Sequence, residues 1–262
     1  MHVVKTLSGC AWVVGLTCLG NELFILRQKD YNQVEVYSTA AASDQKLRQF
    51  TVIGLGRHRH NDMTSSVIHN CLFISDCSNS CVLKSTLDGE VLAMWPIANS
   101  ATGLSLTPTN NLLLTCREGR TLMELCSETG NCVLQMDLQS DVEEPRYSVR
   151  LSAGNYIVTH CGVMQHRVCV VDSEGRVERS YGHQPGSDAT QLSFPTQVAV
   201  DQHHQLMFVG DWSNSRVVVL SSDLQLVHHI TLKQQSGRLY LDDATRRLYI
   251  GLVSGDVVIV DV

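Results

Sequence analysis

No stretch of the 262 residues strings together the ~18 apolar side chains that a membrane-spanning helix needs. The first residues also lack the basic region, apolar core and small-residue cleavage site of a secretory leader. No bilayer span is expected, and the protein is expected to be cytoplasmic, alone or as one domain of a longer chain. Neither G-x-S-x-G nor a phosphate-binding glycine loop occurs, and no C-x-x-C pair meets a second ligand pair at zinc spacing. Serine-hydrolase, P-loop and zinc-module chemistry therefore have no local signature. Excess positive charge is lacking too: 20 Lys and Arg against 26 Asp and Glu leave a formal −6, which weighs against a surface built mainly to neutralise phosphates.

What the chain has is repetition. Six segments align on an apolar strand and its approach: NELFILRQ from Asn21, NCLFISDC from Asn70, NLLLTCRE from Asn111, NYIVTHCG from Asn155, QLMFVGDW from Gln205 and RLYIGLVS from Arg247. Their equivalent apolar positions are Leu23, Leu72, Leu112, Tyr156, Met207 and Leu248, and the five steps from 23 to 248 average 45 residues. Within one copy, Phe194 to Ile230, four apolar runs are separated by polar, turn-prone residues, which reads as a four-stranded antiparallel meander. Such a sheet cannot hide both faces alone and must stack on its copies. A four-stranded unit repeating every ~40 to 50 residues is the signature of a β-propeller blade. The expected fold is all-β, a six-bladed β-propeller filling residues 1–262 as a single domain.

The ends supply closure. The sixth copy offers three strands, while His2 to Leu7 is an apolar strand with no partner before the first copy. Pairing the two ends completes blade six and removes open sheet edges. Leu87-Asp88-Gly89, Glu128-Thr129-Gly130-Asn131 and Asp172-Ser173-Glu174-Gly175 are read as the reversals between third and fourth strands. In blade one the fourth strand is read from Phe50 to Leu55, after a long connection at Ser38 to Arg48.

The ten cysteines read as buried free thiols at strand positions, since intracellular cysteines stay reduced. A disulfide between Cys126 and Cys132, which flank the turn Ser127 to Asn131, is the alternative. The run Arg57-His58-Arg59-His60 has no third ligand at useful spacing, so no metal is expected there, and no cofactor elsewhere.

Residues 181 to 217 carry a further pattern. Tyr181-Gly182 precedes a polar connector, Phe194-Pro195 leads into the blade, Val198-Ala199-Val200-Asp201 forms its inner strand, and Val209-Gly210-Asp211-Trp212-Ser213-Asn214-Ser215-Arg216-Val217 closes the unit. Ile74-Ser75-Asp76-Cys77-Ser78-Asn79-Ser80-Cys81-Val82 follows the same plan. These segments resemble the NHL repeat; the other four copies share only period and apolar pattern. The resemblance implies a six-bladed propeller and, through relatives of that family, either the C-terminal partner-binding domain of a tripartite-motif ubiquitin ligase, an RNA-binding domain or, more distantly, a peptide-amidating lyase. Ubiquitin transfer itself would reside elsewhere, since these residues contain no zinc module. Asp76, Asp211 and Asn214 are expected to be structural, because a side chain at a strand end bonds backbone amides two residues on.

The residues that end the second strands, Arg27, Asp76, Cys116, His160, Asp211 and Leu252, include only two carboxylates. That is too few for a lactonase-type calcium site. His160 and His166 suggest a lyase, but His69, His203 and His204 fall in the turns after the first strand, on the other face. No catalytic residue is therefore assigned, and a propeller hydrolase or lyase stands as the least favoured alternative. The connections between second and third strands and those between blades should share one face. That face gathers Arg27, Lys29, Tyr31, Arg57, Arg59, Arg117, Arg120 and Trp212 as candidate partner-binding residues, since arginines with exposed aromatics compose interface hot spots. A protein or peptide ligand is the expected partner. Sequence-specific single-stranded RNA, stacked on Tyr31 and Trp212, is the alternative.

Overall fold

A computed structural model describes residues 1–28, 32–40, 45–58 and 60–262. They form six four-stranded antiparallel sheets, each pairing its strands in chain order except the last. In that sheet His2–Leu7 pairs antiparallel with Val257–Asp261, from His2 opposite Asp261 to Leu7 opposite Val257. The ends thus close blade six as the repeat count requires. The innermost strands are Trp12–Leu19, Asp62–Ser66, Ala101–Leu106, Pro145–Arg150, Pro195–Asp201 and Ser236–Asp242. Each packs on the next, and the sixth packs on the first, so the ring is complete.

The alignment positions explain why the blades stack. Leu23, Leu72, Leu112, Tyr156, Met207 and Leu248 are all buried, within apolar clusters that run along and between blades. Fully burying a side chain of this size is worth roughly 1.5–3 kcal/mol, and the repeat delivers one at the same point of every sheet. Glycine in the outer turns lets blades approach. A Cβ on Gly89 would lie 2.5 Å from the Phe50 ring of the preceding blade, and one on Gly130 2.3 Å from Trp95. Both glycines also hold positive φ, where other side chains strain.

The fourth strand of blade one is Lys46–Phe50, not Phe50 to Leu55. Val52 and Leu55 are buried in the connector instead, as parts of the cluster between blades one and two, so their apolar character marked packing and not a strand. Cys126 and Cys132 are free, as are the other eight cysteines. Cys132 pairs in the ladder with Leu125, not with Cys126.

Candidate functional site

Five of the six innermost strands are irregular near their first residues. The register slips between Val13 and Gly15, Ala101 and Gly103, Pro145 and Tyr147, Pro195 and Val198, and Ser236 and Arg238. An extra residue in one strand re-aims side chains and sharpens local twist. Here the inserted residues include Thr102, Arg146, Thr196 and Gly237, and all four line one cavity of about 340 Å³ at the mouth of the central channel. Trp12, His60, Arg117, Cys161, Phe194, Trp212 and Arg238 complete most of its wall, so every blade or its connector contributes.

The floor is a polar tie across the ring. Blade two, whose innermost strand has no slip, presents Asp62. Its Oδ2 accepts from the Leu104 amide at 3.0 Å and from Gln197 Nε2 at 3.0 Å, and its Oδ1 accepts from the Met63 amide at 2.9 Å. Arg238 stands 3.8 Å away and donates to the carbonyls of Val14 at 2.6 Å and Asn61 at 2.9 Å. Gln197 Oε1 in turn accepts from the Leu239 amide at 2.6 Å. Blades one, two, three, five and six are thereby joined through three side chains. Complete burial pushes the Asp62 carboxyl up to about 6, against the pull of Arg238 and the donors.

The rim is aromatic and basic. Phe194 sits with φ at 54°, a left-handed conformation rare for an aromatic residue. It is held there by its amide donating to His166 Nδ1 at 3.1 Å and its carbonyl accepting from the Trp212 amide at 3.3 Å. The His166 and Phe194 rings lie 4.7 Å apart, and Trp212 meets Phe194 edge-on at 6.3 Å. Trp12 and Phe194 remain 44% and 45% exposed. Arg117 Nη2 and Arg146 Nη2 approach the same Glu144 oxygen at 2.7 and 3.2 Å. An adjoining cleft is lined by Arg117, Glu118, Arg120, Glu143, Glu144 and Val163.

Of the candidates read from sequence, Arg117 and Trp212 meet on this cavity, and Arg120 lies beside it in the cleft. Arg57 is exposed on the connector between blades one and two. Arg27 does not belong to the face. It is buried, ion-paired with Glu35, and donates to the carbonyls of Gly255 and Ala11, the latter at 3.3 Å. At the end of a second strand its guanidinium serves the junction of blades six and one. Lys29, Tyr31 and Arg59 lie outside the described residues. His160 is also buried, and its Nε2 accepts from Arg167 Nε at 3.0 Å; burial and that guanidinium push it down to about 4. Among the described residues no three His, Cys, Asp or Glu side chains are grouped to hold a metal ion, and no helix is long and apolar enough to cross a membrane. Trp12, Phe194, Gln197 and Arg238 were not among the candidates read from sequence, although one signal marks them: they stand at or beside the first residues of an innermost strand.

A scan against family models finds no match, and neither does a search of curated proteins. Among solved structures the chain is similar to hydrazine synthase of Kuenenia stuttgartiensis, with TM-score 0.70 and 12% identity over 97% of each chain. It is also similar to a protein of unknown function from Bacteroides caccae, with TM-score 0.66 and 13% identity over 88% of this chain and 82% of that one. In all, 1427 chains of known structure match. At such identities the likeness establishes the propeller and nothing of its activity.

Proposed function

We propose that the domain is a non-catalytic recognition module that binds a protein or peptide through the face around the channel mouth. We further propose that it is the cytoplasmic substrate-recognition end of a tripartite-motif type ubiquitin ligase. The observation that carries the first reading is the concentration of aromatic side chains on one arginine-edged cavity, Trp12 and Phe194 half-exposed and Trp212 more deeply set. Large amphipathic rings beside guanidinium groups are the usual anchors of protein interfaces. Val163, which lines the adjoining cleft, and Met164 are 86% and 65% exposed at the tip of the blade-four loop. Asp62, buried beneath the cavity residues Gln197 and Arg238, already accepts three hydrogen bonds, which favours a structural over an acid–base role. The ligase reading rests on the NHL-like pattern of residues 181 to 217.

RNA is the second reading, favoured by Arg57, Arg117 and Arg120. One experiment separates the two. The purified domain is offered a single-stranded RNA pool at ~50 and ~200 mM salt, a range over which phosphate-driven affinity collapses, and in parallel a cell lysate from which bound proteins are crosslinked. Proteins retained by wild type and lost by Trp12→Ala/Trp212→Ala support the proposal. Enriched RNA with a steep salt slope, or proteins retained equally by the double variant, would sink it.

A further inference from the structure

We infer that the cavity is a pocket for a carboxylate presented beside an aromatic or aliphatic side chain, so that the segment captured is an acidic peptide of the partner. This rests on the protein-recognition reading above and names what the site selects. Charge is the first ground. Arg117 and Arg146 share a single Glu144 oxygen, at 2.7 and 3.2 Å. Arg146 spends its Nε on Cys161 Sγ at 2.9 Å, a weak acceptor. At the floor the charge of Arg238 faces that of Asp62, so of the three guanidinium groups lining the cavity the two at the rim share one carboxylate. A guanidinium pair short of one anion suits a carboxylate, which can bridge both forks in plane.

Shape is the second ground. Phe194 is fixed in a costly backbone conformation with its ring against His166 and Trp212, and Trp12 stands exposed on the same cavity. Such strain persists only where the surroundings impose it, and it clusters at ligand sites. A cavity of about 340 Å³ lies at the small end of ligand pockets, which suits one or two protruding side chains.

The surroundings choose between a carboxylate and a polyphosphate. Glu118, Glu143 and Glu144 border the cleft that continues from Arg117. An extended nucleic-acid backbone would run past those like charges, whereas a single carboxylate beside an apolar ring reaches the arginines without crossing them.

The test uses two displayed libraries of random dodecapeptides, one ending in a free C-terminus and one embedded so that no α-carboxylate is available. Wild type should enrich Asp or Glu next to an aromatic or aliphatic residue from the embedded library, or a free carboxyl after such a residue from the other, which identifies the carboxylate's source. Synthetic versions of the selected peptides should bind at least ~10-fold more weakly to Arg117→Ala and Arg146→Ala, and their Asp→Asn, Glu→Gln or C-terminal amide forms should lose as much on wild type. Arg117, on a turn outside the strands, keeps the experiment readable if Arg146→Ala fails to fold. Selected peptides without a carboxylate, or with affinity unchanged on both arginine variants, would overturn the inference and leave protein recognition standing. No peptide selected, together with an enriched RNA pool, would overturn both.

Discussion

Blades two and five carry the same Asp and Asn at the ends of their second strands, and they use them differently. In blade two, Asp76 accepts from the Gly56 amide of the incoming connector at 2.6 Å, from the amides of Ser78 and Asn79 at 3.0 and 3.1 Å, and from Asn79 Nδ2 at 2.8 Å. Most of that effort closes its own turn. In blade five, Asp211 accepts from the Ser193 amide at 2.6 Å and Asn214 Nδ2 at 2.8 Å, but also from Arg216 Nε at 2.6 Å. Arg216 then reaches the connector carbonyls of Ser187, Asp188 and Gln191 at 3.3, 3.1 and 2.7 Å. The position paired with Asp76 in the ladder is Cys81 where blade five has Arg216. One motif thus makes a local turn clasp or, with a guanidinium added, a strap over a whole connector. That strap ends at Phe194, so blade five's clasp also sets the aromatic wall of the cavity.

Breaking the strap should have the largest effect. Asp211→Ala leaves the mostly buried Arg216 without its carboxylate and the Ser193 amide without an acceptor. Losing one member of a buried pair costs roughly 3–5 kcal/mol, read as a drop in the urea midpoint. Trp212 indole fluorescence should change with it, because Ser213 and Trp212 donate their amides to Ser193 and Phe194. A loss below about 1 kcal/mol would mean that the hydrophobic seams, not the clasp, hold the connector.

Blade four tests the comparison with a titratable group. Its second strand places His160 where blades two and five have Asp, and Arg167 ties His160 to Asp141 of the connector, with Nη2 2.8 Å from Oδ2. His160 falls from 6.5 in the free side chain to about 4 in the fold. The folded state therefore prefers it neutral, and its contribution, complete above pH 6.5, is lost as pH falls toward 4. Asp62 rises from 3.8 to about 6, so stability grows as pH falls from above 6 toward 3.8. Each shift is worth about 3 kcal/mol, and the two oppose each other over nearly the same window. Asp62→Asn should unmask an acid-induced loss between pH 6.5 and 4, and His160→Gln an acid-induced gain, both followed as the slope of the urea midpoint against pH. Parallel slopes for wild type and both variants would refute the opposition.

Asp76→Ala should cost less than Asp211→Ala, about 1–3 kcal/mol for amides left without an acceptor, because no guanidinium is stranded. Equal losses in equilibrium unfolding would erase the distinction between the two clasps.

The clasps also show how far the sequence could be read. Period, blade number and closure were legible because one buried apolar position recurs every ~45 residues and an unpaired strand waits at the start. Asp76 and Asp211 could be assigned structural roles because their chemistry is local. Arg27 was misplaced for the opposite reason: as a charged residue ending a strand it reads as solvated, and only the Glu35 and Gly255 partners, 8 and 228 residues away, reveal its burial. The cavity wall was hidden in a similar way. Trp12 and Thr196 belong to strands by every local rule, and the bulges that turn Thr102, Arg146 and Thr196 inward have no marker in composition. Position relative to the ring axis is a property of six blades together.

The smallest effect is expected from building the missing guanidinium into blade two. Cys81 stands opposite Asp76 as Arg216 stands opposite Asp211. Cys81→Arg therefore places a guanidinium within reach of Asp76 and the connector carbonyls of residues 51–57. The new pair adds charge-assisted hydrogen bonds, but the thiol it replaces is buried in the cluster between blades one and two, and filling that space opposes the gain. A net stabilisation of about 0.5–1 kcal/mol is expected, since a hydrogen bond to a charged group contributes roughly 1.5–3 kcal/mol before that cost. If the variant is instead destabilised while Cys81→Ser is neutral, the arginine strap belongs to the connector of blade five and cannot be transferred with the motif.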